Sequence, residues 1–270
     1  MLISELNNET VRAWEVISRS ADYRCPECKQ PVILKKGEYK IPHFAHKISD
    51  GCTYGEGMTE AHLIAQKEIF TILRGAGYKC EIEYKFKGRR ADVYAEVNEK
   101  KIVFEIQHSN ISPEEILARN QFYSKEGCSV IWILTDDFYG RLKALVNPDK
   151  GIRLSQWQIR LNDMYGAIYV WRNSNLVAYQ FENAIRDEEF NPMTGKYEYI
   201  GEYQLKKTFD KIGYAKIDLL WGIKNGILTS FMEDFYATSC FGLSPENDYA
   251  ADWKSPDKNY SFSDPMSVAS

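Results

Sequence analysis

The chain lacks any apolar run of the ~20 residues needed to cross a bilayer, so no membrane span is expected. It also lacks a surplus of positive charge: 34 Lys and Arg face 38 Asp and Glu, a formal net charge of -4. This excludes nucleic-acid binding through a global basic field, and any such contact needs a local patch. Residues 1–150 carry 22 basic and 22 acidic side chains, so the acid excess falls in residues 151–270. Cysteine is scarce, with six in 270 residues. Cys25, Cys28 and Cys52 crowd into one short segment, whereas Cys80, Cys128 and Cys240 are scattered beside apolar residues. That distribution argues against a disulfide framework and for metal chemistry in a reducing cytoplasm. Met1–Glu9 is polar and acidic, unlike a secretory signal.

What is present supports an α+β fold in three parts: a β-rich module over 1–55, a core over 56–145 and a mixed extension over 146–270. Hydrophobic residues make up 44% of the chain, enough to bury a core. Residues 1–55 read as short strands punctuated by turns at Asn7-Asn8 and Lys36-Gly37-Glu38. A helix is expected from Met58 to Arg74, with Thr59 as N-cap and Gly75 and Gly77 ending it. Strands follow at Lys79–Phe86, Arg90–Val97 and Lys101–His108. Ser112-Pro113-Glu114-Glu115 then opens a second helix with a Ser N-cap and Pro at N1. Gly127 closes that helix, and Ser129–Leu134 is apolar enough for a buried strand. Farther on, Ala167–Phe181 reads as a hairpin, 197–205 as a strand and Ile217–Glu233 as a helix. The last twenty or so residues, rich in Ser, Asn, Asp and Pro, read as a loose tail.

Two constellations carry chemistry. Cys25-x-x-Cys28 is a zinc half-site, and His46 and Cys52 can complete a tetrahedral Cys₃His set, with His43 competing for His46's place. A small β module has little core of its own, so a structural Zn²⁺ would help it fold. The second constellation is the hairpin around Asn98-Glu99. A two-residue turn there pairs Val97 with Lys100, and counting back sets Asp92 opposite Glu105. Alternation then puts Ala91, Val93, Ala95 and Val97 on a core face, and Asp92, Tyr94, Val103, Glu105 and Gln107 on the other. Directly opposed carboxylates lie roughly 5 Å apart at Cβ and repel unless a cation separates them. Carboxylates with one backbone carbonyl suit Mg²⁺ or Mn²⁺, water and substrate phosphate completing the shell. The plainer alternative is a polar sheet face with solvated acids.

The sequence resembles the competence protein CoiA family, within the restriction-endonuclease-like nuclease fold. The matching residues are Cys25-Pro26-Glu27-Cys28, Pro42-His43-Phe44-Ala45-His46, Glu60-Ala61-His62-Leu63 with Lys67, Arg90-Ala91-Asp92-Val93, Glu105-Ile106-Gln107-His108-Ser109, Arg119 with Tyr123, and Ile131-Trp132-Ile133-Leu134. They run through the first half of the chain. The resemblance implies that Asp92, Glu105 and the Ile106 carbonyl hold a divalent metal, with Glu60 completing its shell or serving a second metal site. It places Gln107 where many relatives in the wider fold carry Lys; an amide orients water or phosphate but cannot act as a general base. His62, Arg90, Arg119 and Tyr123 become candidates for contacting substrate, with Arg89 beside them. His62 can instead brace the acids, and Arg119 can instead hold Glu105.

The implied activity is metal-dependent hydrolysis of single- or double-stranded DNA, linked to recombination, DNA uptake or restriction of foreign DNA. The competing reading is a catalytically weak accessory protein that binds DNA or a recombination protein. A third is an interaction protein whose Trp157, Trp171 and Trp221 dock a partner, although tryptophans are more often core.

Overall fold

In a computed structural model, the chain is described over residues 1–38, 40–47, 51–135, 154–179, 181–183, 188–199, 203–205, 214–217 and 219–224. It divides into two compact units, Met1–His108 and Ser109–Ser270. The fold is α+β with a strand-rich N-terminus, as the sequence leads one to expect. Among the described residues, no helix is long and apolar enough to cross a membrane.

The first unit opens with two small antiparallel ribbons. Strands β1 (Ile3–Leu6) and β2 (Glu9–Arg12) turn at Asn7-Asn8, both at positive φ, a geometry Asn tolerates better than most side chains. Strands β3 (Val32–Lys35) and β4 (His43–His46) pair Val32 with His46. Helix α1 (Glu60–Gly75) starts where the Thr59 hydroxyl accepts the His62 amide. It ends where Gly77, at φ +83°, turns the chain so that its N–H reaches Arg74 and that of Tyr78 reaches Leu73. Leu63, Ala65, Ile69, Phe70 and Leu73 form its buried stripe.

That helix packs on an antiparallel meander of β5 (Lys79–Lys85), β6 (Arg90–Val97) and β7 (Lys100–Gln107). Asn98 and Glu99, at φ 49° and 68°, make the two-residue turn, and Val97 pairs with Lys100. Both central residues are left-handed, the geometry of a type I′ turn, whose twist matches that of the strands. Ala91, Val93, Ala95, Val97, Ile102, Phe104 and Ile106 are all buried. The opposite face is not a solvated surface, because Tyr94, Val103 and Glu105 are buried too.

In the second unit, α2 (Pro113–Lys125) begins at Ser112, whose hydroxyl accepts the Glu115 amide at 3.1 Å. Strand β8 (Cys128–Leu134) is parallel to β9 (Ile168–Arg172), and helix α3 (Gln156–Tyr165) lies between them in sequence. A parallel pair needs such a crossover. Strand β10 (Asn175–Tyr179) turns back from β9 at Asn173-Ser174. The Asn120 side chain accepts the Trp132 indole N–H, and the Tyr165 hydroxyl donates to the Val130 carbonyl. Trp157 and Trp171 are buried, as core tryptophans should be; the side chain of Trp221 lies outside the described residues.

Two expectations need correction. The single strand over 197–205 is two strands with different partners. After β11 (Phe181–Asn183) and β12 (Glu188–Asn191), β13 (Lys196–Tyr199) pairs with β12, and β14 (Tyr203–Leu205) pairs with β11. At the start of the helix expected over 217–233, Ile217 belongs to β15 (Tyr214–Ile217), which pairs with β10, and the described helix α4 spans Leu219–Lys224. The rest of that helix, the C-terminal tail and Cys240 lie outside the described residues.

The turn geometry makes a prediction. Glu99→Gly relieves a left-handed side chain and should stabilise the chain by about 1 kcal/mol. Denaturant titration checks it, and a loss of stability would contradict the two-residue turn.

Candidate functional site

The β6–β7 hairpin forks at its open end. Ladder pairing runs from Val97↔Lys100 to Val93↔Phe104 and then stops, although the register sets Asp92 opposite Glu105. Beyond that point the Ile106 amide donates to the Asp92 carboxylate Oδ2 at 2.7 Å. A side-chain acceptor thus holds a strand amide that would otherwise seek a backbone carbonyl. Oδ1 of Asp92 lies 3.1 Å from His62 Nε2. Gln66, one turn farther along α1, donates to the Asp92 carbonyl at 2.8 Å. Asp92 is therefore fixed by both its neighbour strand and the helix.

His62 is buried, and its Nδ1 has no hydrogen-bond partner. Burial works against its charge, but Asp92 first, then Glu83 and Glu105, outweigh that and hold the imidazole above its ordinary pKa. The His108 ring stands edge-on to it at 5.7 Å. Glu105 is 2% exposed, and a carboxylate buried that deeply needs donors or a cation close by. Gln107 follows two residues later, half-buried and on the same pleat face.

Glu83 is the residue that sequence reasoning missed. It lies opposite Asp92 on β5, between the pairs Ile82↔Val93 and Tyr84↔Ala91. Its backbone is left-handed, φ +53°, which costs a side-chain-bearing residue roughly 1–2 kcal/mol. Its buried carboxylate accepts the Leu2 amide at 2.8 Å and the Tyr54 hydroxyl. Counting back from the Phe86–Arg89 turn would have found its position opposite Asp92; nothing local announces its backbone.

The other expected site residues are placed as follows. Glu60 is exposed and lines a cleft of about 330 Å³ with His43, His46, Cys52 and Tyr54. It stands two residues before His62, and helix residues at that spacing do not share a face. With His62 turned to Asp92, Glu60 is not gathered with the acids of the fork. Arg90 is stacked 4.1 Å over the Tyr54 ring, donates to the Glu83 carbonyl and pairs with Glu27. In the second unit, Arg119 pairs with Glu115 at 2.9 Å. Tyr123 is 1% exposed and sits with Ile116 and Asn120 on the buried stripe of α2, so its ring is core and not a surface contact for substrate.

The Cys/His cluster is explicit. Cys25, Cys28, His46 and Cys52 bring their ligand atoms within 4.8 Å of one another. Cys25 and Cys52 sulfurs are 4.0 Å apart, and Cys28 Sγ is 3.3 Å from His46 Nε2. Tetrahedral zinc with Zn–S near 2.3 Å sets about 3.8 Å between sulfurs, so these spacings suit such an ion. The knuckle is shaped by its backbone: Lys29 N–H reaches the Cys25 carbonyl, and Glu27 N–H points at the Cys25 sulfur. Burial pushes the Cys25 thiol up to about 11. At Cys28 burial acts the same way, but the Gln30 amide, His46 and the other two thiols outweigh it and lower the thiol to about 7. His43 and His46 are three apart on β4, hence on opposite faces, and His43 Nδ1 instead meets the Ile41 carbonyl. Among the described residues no second set of three such ligand atoms comes together, so Asp92, Glu105 and Glu60 are not gathered as these four are.

A cluster able to hold a metal such as zinc, in a strand-rich segment leading to a helix and an acid-bearing meander, defines the class: an α+β protein with a candidate metal-binding module at its N-terminal end. Two family models match the chain: the N-terminal domain of competence protein CoiA over residues 4–55 and its nuclease-like domain over 58–165. Together they cover more than half of the sequence, and the chain belongs to the competence protein CoiA family. Competence protein CoiA of Bacillus subtilis (strain 168) is 28% identical over 137 residues, which is 50% of this chain and 36% of that protein.

The cluster geometry predicts about one metal ion per chain. Cys28→Ser should lose it and His43→Ala should keep it. Elemental analysis of protein never exposed to chelator decides, and loss of the ion in His43→Ala would reverse the ligand choice.

Proposed function

We propose that this chain is a Mg²⁺- or Mn²⁺-dependent deoxyribonuclease acting in DNA uptake or recombination, with Asp92 and Glu105 as its metal-holding acids and a structural zinc at the Cys/His cluster. The observation that carries the reading is the fork: Asp92 takes the Ile106 amide and meets a buried histidine, and the ladder register extended by one pair sets Glu105 opposite it. Membership of a family whose model is described as nuclease-like adds to it.

The residues present fit a hard divalent ion. Each carboxylate oxygen of Asp92 accepts one hydrogen bond and has a further lone pair. The N–H and C=O of one strand residue point to the same edge, so the Ile106 carbonyl shares the side its amide takes toward Asp92. A cation held there supplies a bound water of lowered pKa and stabilises charge at the phosphorus. His62 meets Asp92 Oδ1 at 3.1 Å and braces that acid from the helix. Gln107 orients water or a phosphate oxygen through its amide.

One observation favours the second reading, an accessory protein that binds DNA or a recombination protein without cutting. Both oxygens of Asp92 already have donors, and among the described residues no third Asp, Glu, His or Cys ligand atom is gathered with the two acids. Cleavage assays on single-stranded, linear and circular DNA separate the two. The expected outcome is cutting with Mg²⁺ or Mn²⁺ that Asp92→Asn and Glu105→Gln abolish. His62→Asn should lower the rate by about 10- to 100-fold, as loss of a residue supporting a metal ligand does. Full activity in both acid variants would sink the assignment; DNA binding without cutting by the wild-type chain would favour the accessory role.

A further inference from the structure

The Cys/His cluster and the acid fork lie in one compact unit, and a short chain of polar contacts joins them. Glu27 sits inside the knuckle, between Cys25 and Cys28. Its carboxylate takes the Arg90 guanidinium on one oxygen and Lys85 at 3.0–3.1 Å. Lys85 and Arg90 are paired across β5 and β6, two residues from Glu83 and Asp92 respectively. Tyr54 stands two residues after Cys52. Its ring carries the Arg90 guanidinium, and its hydroxyl donates to buried Glu83. Arg90 closes the loop by donating to the Glu83 carbonyl at 3.0 Å.

Both ends of the ligand set therefore reach the hairpin, the Cys25–Cys28 knuckle through Glu27 and Cys52 through Tyr54. They arrive at Arg90, two residues before Asp92, and at Glu83, directly opposite it. Glu83 holds a left-handed backbone, which a side-chain-bearing residue keeps only where its surroundings over-determine it. Its surroundings here are Leu2, Tyr54 and Arg90.

We infer that Glu83 and Arg90 are positioning residues that transmit the fold of the Cys/His module to the acid fork, so that the metal-ligating module sets the geometry of Asp92 and Glu105. The functional side of this rests on the reading of those acids as the reactive pair; the mechanical side stands on the contacts alone. Glu83 contributes through Asp92, and Arg90 is anchored to Glu27 and Tyr54.

The test uses the full chain with its cluster metal bound. Glu27→Gln and Tyr54→Phe each cut one link and leave the four Cys/His ligands, Asp92 and Glu105 in place. Both should keep wild-type metal content; Glu27→Gln should also keep the melting temperature, whereas Tyr54→Phe, which takes a donor from the buried Glu83 carboxylate, should lower it. Amide hydrogen exchange over Phe104–Gln107, where the Ile106 amide is held by Asp92, should rise about tenfold. Glu5→Gln, which cuts the Lys29–Glu5 pair elsewhere on the knuckle, should leave that exchange unchanged. Mn²⁺ titrated calorimetrically should bind the two link variants about three- to tenfold more weakly than wild type. Exchange at the wild-type rate in both link variants overturns the inference. If Tyr54→Phe does not fold, Glu27→Gln decides alone, since its carboxylate is largely exposed. A wild-type chain that binds no Mn²⁺ and cuts no DNA defeats the nuclease reading, while the exchange result still supports or defeats the coupling.

Discussion

One hydrogen bond, from the Ile106 amide to the Asp92 carboxylate, organises the first unit. Where the ladder of β6 and β7 stops, an unpaired buried amide would cost several tenths to a few kcal/mol. Supplying the acceptor from a side chain removes that cost and splays the strands. It also fixes one carboxylate between two strands, where Glu105 stands opposite. The His62 contact ties the other Asp92 oxygen to the helix side, and Gln66 holds the Asp92 carbonyl. Three contacts from two elements, β7 and α1, thus converge on one residue, which is why α1 and the hairpin must be built together for the acids to be placed.

The hairpin was legible because its information is local. A two-residue turn of Asn and Glu between alternating apolar positions leaves one register, and that register puts Asp92 opposite Glu105. The caps at Thr59 and Ser112 were legible for the same reason. The Cys-x-x-Cys knuckle announces itself by spacing, yet the choice between His43 and His46 needed only the period of a strand, which places them on opposite faces. Tyr123 could also have been read correctly: Ile116, Asn120 and Tyr123 follow a helical stripe, and a residue on it is core.

Other features depend on contacts distant in sequence, and these were not legible. Glu83 looks like an ordinary alternating acid of an edge strand. Its backbone is set by Leu2 and Tyr54, 81 and 29 residues away. Arg90 looks like a free phosphate ligand, but Glu27 and Tyr54, distant in sequence, engage its guanidinium. The separation of β13 from β14 depends on which strand each finds, and the local sequence of 197–205 carries no partner. Helix α3 is a different failure, because Ser155 and Gln158 form a capping box that was present to be read.

Charge gives the arrangement its final constraint. Three carboxylates, Glu83, Asp92 and Glu105, act on one buried imidazole. Where water is largely excluded, Coulomb terms between such groups are several-fold stronger than in solution. Glu83 is relieved by neutral donors, the Leu2 amide and the Tyr54 hydroxyl, that belong to the module carrying the Cys/His cluster. Asp92 is relieved by His62 and the Ile106 amide. Under the proposed reading a divalent ion is held by Asp92 and Glu105. The division explains why Glu83, though directly opposite Asp92, is turned to the N-terminal segment: a third acid at the fork would add repulsion there, whereas turned away it serves as the joint through which that segment holds the hairpin.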